Sequence, residues 1–78
     1  MKVEVKLFAG FRKHTPEEAQ NSFFMDVPHG STVGDIVASL GLPADVKKII
    51  FVNGVHGDST TSLKSNDRVG IFPPVAGG

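Results

Sequence analysis

The chain has 78 residues, with eight Lys and Arg balanced by eight Asp and Glu, and no Cys. This length supports one small domain with a thin core, and neither a disulfide framework nor a zinc–cysteine centre can reinforce it. The charge balance argues against nucleic acid or an anionic membrane held by bulk electrostatics, and no run approaches the ~20 apolar residues of a membrane-spanning helix.

Lys2 to Phe8 alternates. Val3, Val5 and Leu7 share one face, and Lys2, Glu4, Lys6 and Phe8 the other, which predicts a first strand. This start lacks the apolar stretch of a signal peptide, so the expected compartment is the cytoplasm. Residues 9 to 21 are polar and turn-rich. Within them Thr15-Pro16-Glu17-Glu18 reads as an N-cap, a Pro at the first helical position and an acidic residue two later, enough for one helical turn. Ser22 to Val27 is the second strand, with Phe23, Met25 and Val27 on one face and Phe24 and Asp26 on the other.

The main helix starts at Thr32, which with Asp35 forms a variant capping box. Val33, Ile36, Val37 and Leu40 recur at helical spacing, and Gly41 stands where a C-terminal glycine cap belongs. A short amphipathic piece is expected at Asp45-Val46-Lys47-Lys48. Ile49 to Val52 is a fully apolar strand. Asn53-Gly54 predicts a tight turn, with Val55-His56 returning from it. Leu63 is an isolated apolar plug under a loop. Ser65-Asn66-Asp67 turns the chain, Asn66 being suited to the left-handed region. Arg68 to Phe72 is the last strand. One helix covers one face of such a sheet, so the fold class is a two-layer α+β domain.

Residues 1–72 form the domain, and 73–78, Pro73-Pro74-Val75-Ala76-Gly77-Gly78, form a flexible tail. Two terminal glycines arise by chance in roughly 0.5% of chains. Pro73-Pro74 favours polyproline II, which reduces the entropy lost on threading. Gly77 and Gly78 pass where a Cβ would collide. Six extended residues reach at most ~20 Å. Such an end suits a carboxylate threaded into another protein's active site. By contrast, His14, His29 and His56 show no metal-ligand spacing. Gly54 and Gly57 are turn glycines rather than a phosphate loop.

Val52-Asn53-Gly54, Leu63 and the run Asn66-Asp67-Arg68-Val69-Gly70-Ile71-Phe72-Pro73-Pro74-Val75-Ala76-Gly77-Gly78 resemble the MoaD/ThiS family of ubiquitin-like sulfur carriers. Lys6-Leu7-Phe8-Ala9-Gly10-Phe11-Arg12 looks like that family's first strand and following turn. The ending Phe-Pro-Pro-Val-Ala-Gly-Gly is most similar to the small subunit of molybdopterin synthase. The resemblance implies a β-grasp fold: a mixed sheet of four to five strands, one main helix on one face, and the first and last strands as parallel neighbours.

It also implies a chemistry. A C-terminal carboxylate is ionised at neutral pH and is a poor electrophile until activated. In the family an ATP-dependent, ubiquitin-activating-type adenylyltransferase supplies that activation, and a sulfur donor converts the acyl-adenylate to a thiocarboxylate. Gly78, with Gly77, is then the reacting end of a co-substrate, and the chain by itself binds no cofactor or metal. The implied acceptor is the large subunit of molybdopterin synthase or another sulfur-acceptor enzyme. Thiamine thiazole, tungsten cofactor and tRNA thiolation use the same chemistry. A different class is a ubiquitin-like modifier, in which Gly78 starts from the same adenylate and forms an isopeptide bond with a target lysine. A third reading is a plain binding module with an incidental Gly-Gly.

If the first and last strands are parallel neighbours, Phe8 and Phe72 end side by side on the face away from the helix. The hairpin is expected to bring Phe24 to the same end. Phe8, Phe24, Phe72, Pro73, Pro74, Val75 and Ala76, with Arg12 as a charged flank, are the expected partner-binding residues.

Overall fold

A computed structural model describes residues 1–19 and 21–74. The expectations at Val75, Ala76, Gly77 and Gly78 lie outside the described residues. Strict alternation makes β1 (Lys2–Leu7), where Val3, Val5 and Leu7 are buried and Lys2 and Lys6 are exposed. Next come β2 (Ser22–Asp26), α1 (Val33–Leu40), β3 (Ile49–Val52), β4 (Val55–Gly57) and β5 (Arg68–Phe72).

The sheet order is β2-β1-β5-β3-β4. β1 pairs antiparallel with β2 and parallel with β5, in a register that sets Leu7 beside Ile71. β3 pairs antiparallel with both β5 and β4. This is the β-grasp architecture, with β5 as the middle strand. Val5, Leu7, Val69 and Ile71 meet Val33 and Ile36 of α1 in the core. The other face of the sheet is left open.

Local chemistry sets the ends of α1. The Thr32 hydroxyl accepts the Asp35 N–H at 3.3 Å, and an Asp35 carboxylate oxygen accepts the Thr32 N–H at 2.9 Å. These bonds satisfy donors that a helix start leaves unpaired. Gly41 closes the helix at φ +73°, and its N–H reaches the carbonyls of Val37 and Ala38. The further N–H groups of Val33 and Gly34 are taken by the carbonyls of Thr61 and Ser59, which binds the 58–63 loop to the helix. Leu63 is buried beneath that loop, as expected.

Three local expectations are corrected. Ala9–His14 forms a 3₁₀ helix, whereas 15–18 holds only the turn closed by the Ala19 N–H on the Pro16 carbonyl. Ala9 at φ +50° reverses the chain, and Phe11 enters the core. Residues 45–48 are not helical. They hold a turn at Asp45 and a bend at Val46, and the Lys48 ammonium donates to the carbonyls of Pro43 and Val46. β1 ends at Leu7 and β2 at Asp26, although the Phe8 N–H still bonds Ile71 and the Val27 N–H bonds Met1.

The turn predictions hold. Asn53 and Gly54 take φ +54° and +80°, the pair of left-handed residues that a type I′ turn requires, and Asn66 sits at φ +71°. Among the described residues, no helix is long and apolar enough to cross a membrane.

Candidate partner-docking site at the root of the tail

Parallel pairing of β1 and β5 ends Phe8 and Phe72 level with each other on the open face. Their rings stack with centroids 3.9 Å apart and planes 8° apart. Both rest over Gly70: a Cβ at that position would lie 3.5 Å from each ring. Phe72 is also met edge-on by Phe51 of β3 at 5.9 Å, and Phe51 in turn by His56 of β4 at 5.5 Å. Neighbouring strands therefore hold an aromatic row, each ring fixed by the pleat of its own strand.

The row borders two concavities. Ala9, Ile49, Phe51, Phe72, Pro73 and Pro74 line a groove of about 570 Å³, where the chain leaves the sheet. Lys6, Phe8, Phe51, Arg68, Gly70 and Phe72 contribute to a shallower depression of about 380 Å³ on the sheet face. The groove walls are almost wholly carbon, which suits apolar side chains of a partner.

Cations frame this apolar centre. The Lys6 ammonium stands 5.1 Å from the Phe8 ring centroid, within cation–π range. Arg12 is exposed in the last turn of the 3₁₀ helix and lines a third hollow with Lys6 and Phe8. Arg68 opens β5 beside Glu4. The Glu4 carboxylate accepts the Ser22 hydroxyl at 2.6 Å.

Phe24 does not join the cluster. It pairs with Glu4 in the middle of β1, four residues and so ~13 Å along the strand from Phe8. The connection from β1 to β2 is long, and β2 begins only at Ser22. The level of Phe8 is thus already passed when the chain re-enters the sheet. Phe24 is 65% exposed, with the Lys2 ammonium 5.6 Å from its ring. Phe51 takes the place expected for Phe24. Its signal lay in parity: once Ile50 is inside, Ile49 and Phe51 face outwards. Reading Ile49–Val52 as uniformly apolar hid it.

The model of the ThiS family matches residues 5–78. Small archaeal modifier protein 3 from Haloferax volcanii is 37% identical over 95 aligned positions, which cover all of both chains. Among solved structures, a putative molybdopterin converting factor subunit 1 from Pyrococcus furiosus matches with a TM-score of 0.72 and 30% identity, over 95% of this chain and 98% of that one. A chain in the complex of subunits 1 and 2 of molybdopterin-converting factor from Helicobacter pylori matches with a TM-score of 0.62 and 26% identity, over 100% of both chains.

Proposed function

This chain belongs to the ThiS family of ubiquitin-like sulfur carriers, and from that premise we propose that it carries sulfur as a thiocarboxylate on Gly78 for molybdopterin assembly. The observation that supports this most is the root of the tail. The middle strand of the sheet ends at Phe72, and Phe72 with Pro73 and Pro74 after it lines an apolar groove beside the stacked Phe8–Phe72 pair. A partner that grips this groove holds the start of the tail at a fixed place. The last residues then travel only a few extended lengths to reach its active site. Docking through side chains already held by the sheet lowers the ordering cost of the encounter.

In this reading the chain supplies position and a carboxylate, and its partners supply the chemistry. The Gly78 carboxylate attacks the α-phosphorus of ATP on the activating enzyme and releases pyrophosphate. Hydrosulfide then displaces AMP, its C–S bond forming as the acyl C–O bond to phosphate breaks, and leaves the thiocarboxylate. That sulfur is nucleophilic and is passed to an acceptor held by the second subunit. The named subunit 1 and subunit 2 complex from Helicobacter pylori supports a two-protein arrangement of this kind. Lys6, Arg12 and Arg68 meet carboxylates on the partner around the apolar centre.

A second reading has its own support. The 37% identical relative is named a modifier protein, and a modifier would join Gly78 to a lysine amine from the same adenylate. Intact-mass measurement on protein purified from its native cell separates the two. Replacement of one oxygen by sulfur at Gly78 supports the carrier. A ladder of heavier, reductant-resistant conjugates supports the modifier. An unmodified carboxylate in every growth condition, with no ATP-dependent adenylation, overturns both.

A further inference from the structure

The turn between β3 and β4 carries a chemistry that sulfur transfer does not use. In an Asn-Gly sequence the backbone nitrogen after Asn meets no Cβ as it approaches the side-chain amide, so this dipeptide is prone to lose ammonia. Asn53 and Gly54 are both exposed, and water reaches them freely.

The fold nevertheless holds the Asn53 amide at both ends. Its Nδ2 donates to Asp67 Oδ1 at 2.8 Å, and its Oδ1 accepts the Arg68 N–H at 3.0 Å. The other Asp67 oxygen accepts the Lys64 N–H at 2.7 Å, which fixes the carboxylate. The backbone N–H of Asn53 donates to the Arg68 carbonyl at 2.8 Å. To bring Cγ over the Gly54 nitrogen, the side chain must give up both amide bonds.

We propose that Asn53 is a deamidation site held shut by the fold, closed while its amide bridges Asp67 and Arg68 and open when the turn detaches from β5. In the open state the Gly54 nitrogen attacks Asn53 Cγ. The new N–Cγ bond forms as the Cγ–Nδ2 bond breaks, and Nδ2 leaves as ammonia with the proton from the Gly54 amide. Water then opens the cyclic imide to aspartate or to isoaspartate. The balance is one water in and one ammonia out, with no oxidant or reductant.

The product cannot remake the lock. A carboxylate at position 53 faces the Asp67 carboxylate where an amide donor stood. The isoaspartate form adds a backbone carbon to a turn whose Val52–Val55 pairing has a fixed register. A chain that has opened and reacted is therefore marked permanently, and its β3–β4 hairpin is held less firmly to the strand that carries the tail.

Two hydrogen bonds lost on opening, one to the Asp67 carboxylate and one from the Arg68 backbone N–H, set the scale. The folded chain should react about 30-fold more slowly than the unfolded one, equivalent to about 2 kcal/mol. The test incubates the full chain in mildly alkaline buffer, folded and in urea, and follows the Asn53 peptide by mass and isoaspartate content. A folded rate about 30-fold lower is expected; equal rates overturn the proposal. Asp67→Ala, checked for folding by circular dichroism, should bring the folded rate towards the unfolded one. If that variant does not fold, Asp67→Asn replaces it and should shift the rate in the same direction by a smaller factor. A folded variant that reacts as slowly as the parent assigns the protection elsewhere and also overturns the proposal.

Discussion

Phe72 joins the packing of the sheet to the proposed docking surface. Its ring stacks on Phe8 and takes the edge of Phe51, yet it remains half-buried because it lies on the face opposite the core. Phe72→Ala should therefore cost less stability than a core Phe, about 1–2 kcal/mol. Loss of the central aromatic anchor should weaken partner binding by tenfold or more. Chemical denaturation and titration against the partner subunit measure the two effects separately. A folded Phe72→Ala with unchanged affinity would move the docking surface away from this row. Asp58 offers a test of local electrostatics. The Thr60 hydroxyl and N–H donate to its carboxylate at 2.6 and 2.8 Å, which holds the carboxyl below its ordinary range, with a smaller contribution from the charge of His56. A lowered folded value means stabilisation that is present above the unfolded carboxylate pKa and lost as pH falls through the folded one. Asp58→Ala should thus lower the melting temperature at neutral pH and leave it unchanged in strong acid.

The elements show which parts of the sequence spoke for themselves. α1 is set by its own ends, so Thr32→Ala should remove the hydroxyl's half of the capping exchange, leave the backbone N–H bond to Asp35, and cost about 1 kcal/mol, or roughly 4–8 °C in melting temperature. A thermal melt that moves by less than a degree would show that the Ser59 and Thr61 carbonyls hold the helix start without the cap. β1, the helix caps and the Asn53-Gly54 turn were legible because each depends on neighbours in sequence: alternation, a four-residue box, a dipeptide that tolerates positive φ. The 3₁₀ helix over Ala9–His14 was not, since it forms to seat Phe11 in a core built by distant strands. The aromatic row was half legible. Phe8 and Phe72 follow from parity and parallel pairing, but the level of Phe24 depends on how many residues the β1–β2 connection uses before pairing begins. Phe51 depends on strand order, which places β3 next to β5.

Across the whole molecule, the proposed function divides the chain into a folded body and a reacting end. Among the described residues, every buried core side chain lies between Val3 and Ile71, and β5 finishes at Phe72. The proposed function thus puts stability and docking in the body, and chemistry at the final carboxylate. Deleting Gly78 should leave the denaturation midpoint unchanged, because no apolar surface of the core is removed with it. Partner binding through the aromatic row should persist within about threefold, since affinity follows the buried anchors more than total contact area. Sulfur transfer should be abolished, because the reacting carboxylate would now sit one residue short, and a misplacement of only ~1 Å can already cost about a hundredfold in rate. Adding one residue after Gly78 should have the same effect through a side chain where a Cβ collides. The measurement is a reconstituted assay with the activating enzyme, scored by thiocarboxylate formation, alongside a melt and a binding isotherm on the same sample. Loss of transfer together with loss of binding would place the docking energy in the last residues and remove the division between body and tail. Full transfer by the deleted chain would take the reactive carboxylate away from Gly78 and with it the proposed chemistry.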